Sequence, residues 1–164
     1  MKTLIIMRHG HAESGGIFSA DIKRNLDERG KSDVARMAEK FASKKELPQL
    51  IICSAANRTA ETCRIFTESA GYKGDIQYFS ELYHASAALL IEHILMLPDS
   101  IENVMFIGHN PGVSKTIKSL LQVPFEEMPT SGLAILKLPE NKWVEIGTEP
   151  AFLDAYYFPK QNQS

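Results

Sequence analysis

Apolar and polar positions along the chain alternate between the period of a strand and that of a helix. Residues 3–7 form a short, largely apolar run closed by Arg8, His9 and Gly10, the pattern of a strand buried on both faces. A Gly/Ser-rich loop follows through Gly15, Gly16 and Ser19. Val34, Met37, Ala38 and Phe41 then recur at i, i+3, i+4 and i+7, which is one face of a helix. Asn25 is expected to cap that helix, with Asp27 and Glu28 in a first turn whose dipole favours acids. Gly30 is expected to weaken its start.

The same alternation continues. Residues 50–53 read as a second strand, and Ser54 to Asn57 as the cap of a helix that Gly71 stops. A third strand is predicted over 76–79, and a helix over 85–97 with Leu90, Ile94 and Leu97 on one face. A fourth strand over 103–107 precedes a helix over 112–121. Four strand–helix alternations predict an α/β domain of three layers, α/β/α, around a mostly parallel central sheet. After Pro129, residues 133–138 and 143–146 are expected to form a hairpin at an antiparallel sheet edge. Trp143, Tyr156, Tyr157 and Phe158 are read as residues that pack on the sheet. Residues 1–159 are read as one domain and 160–164 as a polar tail.

Charge narrows the range of partners. Eighteen Lys and Arg against twenty Asp and Glu leave a net charge of −2 over 164 residues. That balance argues against nucleic acid or an anionic membrane surface as a partner, but not against one local cationic pocket. No apolar stretch approaches the roughly 20 residues of a membrane span, and the run after Lys2 is too short for a secretory core. A cytoplasmic protein is expected. Cys53 and Cys63 are read as buried free thiols, since they lack the spacing of a zinc site.

The chemistry-bearing residues stand at the predicted strand ends. Arg8 and His9 close the first strand, Ser54 to Arg58 follow the second, Glu81 the third and His109 the fourth. Ligands of parallel sheets bind beyond the carboxyl ends of the strands, so these groups are expected to share one site. Two arginines and a helix N-terminus beside two imidazoles are chemistry suited to a phosphoryl group. No P-loop pattern and no cluster of carboxylates is present, so neither metal nor other cofactor is expected. Phosphoryl transfer without metal can proceed through a covalent intermediate on a neutral imidazole.

These motifs resemble the histidine phosphatase, or phosphoglycerate mutase-like, superfamily. Arg8-His9-Gly10 is similar to its R-H-G signature, Ser54 through Arg58 to Thr62 to its S-x-x-x-R-x-x-x-T pattern, and Gly108-His109-Asn110 to its second histidine element. The resemblance spans nearly the whole chain and implies a phosphoglycerate mutase-like fold. It also implies His9 as nucleophile, with Arg8, Arg58 and His109 forming the phosphate pocket. Only 23 positions separate Arg58 from Glu81, which leaves no room for the lid of the sugar-phosphate mutases. Asn110 stands where the secreted acid phosphatases have aspartate. Gly108 to Gly112 and Met128 to Gly132 look like the SixA-type branch, implying phosphohistidine on a partner protein as substrate.

The general acid stays open at this level. Glu81 is the best placed carboxyl, with Tyr83, His84 and Glu13 as alternatives. An imidazole leaving group needs less help than an alkoxide, so a Glu81 turned away from the pocket would favour a phosphohistidine substrate. Ser14 is a candidate phosphate ligand or a loop terminator, and His11 a pocket or solvent residue. His84 and His93 are otherwise read as structural or surface residues. The alternative readings are a small-molecule phosphomonoesterase or mutase, and a phosphate-binding module without turnover.

Overall fold

A computed structural model describes residues 1–16 and 20–160. Ser19 of the predicted loop and residues 161–164 of the predicted tail lie outside that set. The described chain runs β1 (Lys2–Arg8), α1 (Glu28–Lys44), β2 (Leu50–Ser54), α2 (Asn57–Ala70), β3 (Asp75–Phe79), α3 (Ala87–Leu95), β4 (Asn103–Gly108), α4 (Gly112–Leu121), β5 (Leu133–Leu138) and β6 (Phe152–Tyr157). Strand order is β3-β2-β4-β1-β5-β6. The first four of these are mutually parallel, and β5 and β6 add an antiparallel edge.

The central strands are apolar on both sides because helices cover both faces. Ile5, Met7, Ile51, Met105 and Ile107 pack against Val34, Ala38 and Phe41 of α1 and Cys63 and Phe66 of α2. Leu4, Ile6, Ile52, Val104 and Phe106 pack against Leu90 and Ile94 of α3 and Val113 and Ile117 of α4. The α/β/α layering with a mostly parallel sheet is therefore as expected. Cys53 and Cys63 are buried and free. Because β1 is followed by a helix on one face and its neighbour β4 by a helix on the other, a crevice opens beyond their carboxyl ends.

Three local expectations are corrected. The cap of α1 is Asp27, not Asn25; its side chain accepts from Gly30 N–H at 2.8 Å. Leu26 is held extended by an isolated bridge to Ala12, so the helix cannot begin earlier. Gly30 is not a weakness but a requirement, since a Cβ there would lie 2.1 Å from the carbonyl oxygen of His11. The hairpin partner of β5 is β6, not residues 143–146. Trp143–Glu145 form a single 3-10 turn. It is fixed there because the Trp143 indole donates to the Ile101 carbonyl at 2.7 Å and its ring lies under the Lys2 ammonium. Tyr156 and Tyr157 belong to β6, and Tyr156 meets Phe125 edge to face.

Candidate active site

The strand ends converge on a cavity of about 390 Å³, whose wall includes Arg8, His9, His11, Asp21, Arg24, Arg58, His84, His109, Asn110 and Thr130. Arg8 closes β1 and donates through Nη1 to the Met128 carbonyl at 2.8 Å. Arg58 stands in the first turn of α2, whose N-cap residue Ala56 makes no side-chain cap. The Nε groups of both arginines are buried and have no hydrogen-bond partner among the described residues. Buried donors without acceptors are costly to a fold, and an entering phosphate would supply the missing acceptors.

His9 is one residue past β1 and is 8% exposed. Its main chain is pinned on two sides, with its N–H on Gly108 O at 3.1 Å and its carbonyl receiving Ser131 N–H at 3.0 Å. Its ring Nδ1 lies 2.7 Å from the Gly10 carbonyl. A carbonyl only accepts, so Nδ1 carries the proton and Nε2 keeps a free lone pair. Burial, and then the cationic Arg58, Arg8 and Arg24, lower the His9 pKa to about 4. The ring is neutral at pH 7. Gly10 is itself held, its N–H donating to Thr62 Oγ1 at 3.0 Å, while Thr62 donates to the Arg58 carbonyl at 2.6 Å.

His109 follows β4, and its ring centroid is 5.3 Å from that of His9. Burial, then the neighbouring His9 and Arg58, lower its pKa to about 3. Its Nε2 lies 2.8 Å from Ser54 Oγ. Asn110 does not present an acid. Its amide donates to the Met128 carbonyl at 2.9 Å and its oxygen receives the Ser114 hydroxyl at 2.7 Å, tying α4 to the turn before β5.

The sequence reading missed Asp21. It lies in a 3-10 turn, Asp21–Lys23, between the first loop and α1. Its carboxylate is the single acid among the described residues of the cavity, and nearly every donor on that side engages it. Arg58 Nη1 donates to its carbonyl at 2.9 Å and Nη2 to its carboxylate at 3.1 Å. Arg24 Nη1 donates to it at 2.9 Å, His84 Nε2 lies at 3.2 Å, and the Tyr83 hydroxyl donates as well. The Tyr83 bond, then Arg24, Arg58 and His84, hold this carboxyl well below the usual carboxylate range. Asp21 is thus ionised at neutral pH and covers the guanidinium that a phosphate would need.

Arg8, His9, Arg58 and His109 are brought together. Glu81 is not. Its carboxylate lies 2.6 Å from Nε2 of His93, in the wall of a separate cavity between α3 and the outer strands. Ser14 is exposed and not among the residues of that cavity's wall. His11 is in the wall of the cavity beside His9, with Nδ1 paired to Asp27. His84 lines the site and Tyr83 reaches it through Asp21, whereas Glu13 only offers its carbonyl to Arg24. Among the described residues no group of three or more His, Cys, Asp or Glu side chains could hold a metal ion.

Residues 4–83 match the model of the histidine phosphatase superfamily (branch 1). An uncharacterised chloroplastic protein of Arabidopsis thaliana is 30% identical over 154 residues, covering 88% of this chain and 70% of that one. An uncharacterised Mycobacterium tuberculosis protein is 26% identical over 165 residues, covering 94% of this chain and 100% of that one. The chain belongs to the histidine phosphatase superfamily. Within it, the structure is similar to that of a candidate phosphohistidine phosphatase SixA from Agrobacterium tumefaciens. The TM-score is 0.82 at 25% identity, over 96% of this chain and 98% of that one. A SixA solved with tungstate shares the fold at a TM-score of 0.81 and 21% identity, over 95% and 96% of the two chains. No helix among the described residues is long and apolar enough to cross a membrane.

Proposed function

We propose that the protein is a metal-independent phosphatase that works through a covalent phosphohistidine on His9 and removes phosphate from histidine on a partner protein. The observation that carries this reading is the state of His9. It is a neutral, buried imidazole with Nδ1–H committed to Gly10 O and Nε2 bare, beside two arginines whose Nε donors lack acceptors. The Nε2 lone pair attacks phosphorus while the bond from phosphorus to the leaving group breaks. Arg8, Arg58 and His109 spread the charge of the equatorial oxygens. Water then attacks the same phosphorus, the P–Nε2 bond breaks, and His9 and inorganic phosphate are regenerated.

The leaving-group side favours a phosphoramidate. The one carboxyl among the described residues of the cavity wall, Asp21, is held ionised, and Glu81 faces His93. An alkoxide departs with a fully formed proton donor at hand, whereas imidazole tolerates weaker assistance. His84, half exposed and supported by Asp21, is the ring placed to exchange that proton. The short chain between Arg58 and Glu81 leaves the cavity open to phosphate on another protein.

The test is rapid quenching with labelled phosphosubstrate. Acid-labile, base-stable label is expected on the wild type and none on His9→Ala. A phosphohistidine protein is expected to be hydrolysed in preference to p-nitrophenyl phosphate and phosphoglycerates. Preference for phosphoglycerates would refute the substrate, and full turnover by His9→Ala would refute the nucleophile.

A further inference from the structure

Ser54, the last residue of β2, is fully buried beneath the cavity. Its hydroxyl oxygen lies 3.4 Å from the Ala56 N–H and 2.8 Å from His109 Nε2. An amide only donates, so toward Ala56 the hydroxyl oxygen is the acceptor. Its own proton then has one acceptor among the described residues, Nε2 of His109. Reversing that bond would leave a buried hydroxyl proton with no acceptor, a cost that folded proteins avoid. Nε2 therefore accepts. In a neutral ring, which burial and the adjacent cations enforce, the proton must sit on Nδ1.

Nδ1 of His109 is buried and has no hydrogen-bond partner among the described residues, although the residue is only 3% exposed and lines the cavity. No described residue uses this donor. Resting on the phosphatase reading above, we propose that Ser54 is a positioning residue that holds His109 as the Nδ1–H tautomer, so that its ring donates to a phosphoryl oxygen. The opposite tautomer would turn a lone pair toward the dianion and lose the contact.

The two rings are then set in opposite senses by groups one shell away. Gly10 O takes the His9 Nδ1 proton and leaves a nucleophilic lone pair, while the Ser54 hydroxyl occupies the His109 Nε2 lone pair and leaves a donor. Neither ring needs a charge to take its part. Ser54 is itself anchored, its carbonyl receiving the Thr59 hydroxyl at 2.8 Å and the Cys53 thiol at 3.3 Å.

Two measurements test this. Long-range proton–nitrogen spectra of the wild type, with His109 assigned by comparison with His109→Gln, should show a proton on Nδ1 and a bare Nε2. Ser54→Thr and Ser54→Val have nearly the same shape, so packing damage is common to both and only the hydroxyl differs. With folding checked by thermal melting, Ser54→Thr should retain kcat/KM within about threefold of wild type. Ser54→Val should lose about a hundredfold, the range seen when one donor to transition-state charge is removed. Val should also move the His109 proton to Nε2. A wild-type proton on Nε2, or equal losses in Thr and Val, would overturn the role of Ser54. A wild type that hydrolyses no phosphoryl compound would overturn the phosphatase reading instead, and the ring spectrum would still decide the tautomer.

Discussion

Acid should destabilise this protein more steeply than its surface charge explains, because the site buries two imidazoles among cations. His9 and His109 have native pKa values near 4 and 3, against about 6.5 in the unfolded chain. A histidine whose native value is depressed contributes full stability above the unfolded value, and that stability is lost as pH falls through the window below it. Between pH 6.5 and the native values, unfolding takes up protons that the folded rings refuse. At pH 5 each ring costs about 2 kcal/mol relative to pH 7.5. The rings also repel each other's proton, so they titrate as a pair. Their joint cost of about 4 kcal/mol corresponds to a fall in Tm of roughly 8–16 °C for a chain of this size. The assay is calorimetry at pH 7.5 and 5.0 on the wild type and on His9→Gln/His109→Gln. The wild-type Tm is expected to fall by that much more than the double variant's. Parallel declines would show that the two rings are not held neutral, and the assignment of His9 as a neutral nucleophile would fail with them.

Other consequences are more local. Asp21→Asn removes the anion 3.1 Å from Arg58 Nη2, so inorganic phosphate should inhibit at least several-fold more tightly; weaker inhibition would make Asp21 a brace for Arg58. Glu81→Gln should leave phosphohistidine turnover within about twofold, and a loss near a hundredfold would return Glu81 to the acid's role. Gly30→Ala should destabilise by about 2 kcal/mol or more in chemical denaturation, despite alanine's higher helix propensity, because its Cβ would meet the His11 carbonyl. A neutral or stabilised Gly30→Ala would show that the loop after β1 yields freely.

The legible features were those written in short stretches of chain. Helix α4 was read with its observed ends because an apolar period of 3.6 starts at one residue and stops at another. Arg8, His9, Arg58 and His109 were legible because each interrupts or follows an apolar run that ends at the same edge of a parallel sheet. Asp21 was not, because an exposed acid in a loop acquires meaning only when folding lays it on Arg58, 37 residues away. Glu81 illustrates the converse: its place after β3 was right, but side-chain direction follows from His93 on α3, which sequence order does not reveal. The edge hairpin failed for a similar reason. Trp143 has strand propensity but is drawn into the core by Ile101 and Lys2, while β6 hides its period behind a bulge opposite Ile135 and Leu136.

The pairing of Arg8 with Gly108 in the β1–β4 ladder places His9 and His109 each one step beyond the same rung. The spacing of the two rings is therefore ruled by main-chain hydrogen bonds at the centre of the sheet. Asp21 with Arg24, and Tyr83 with His84, which meet at the Asp21 carboxylate, ride on connecting segments instead. The two rings and the polar groups over them are thus held by separable parts of the chain. Exchanging the segment before α1 amounts to changing the key guard on a lock whose bolt stays where it was.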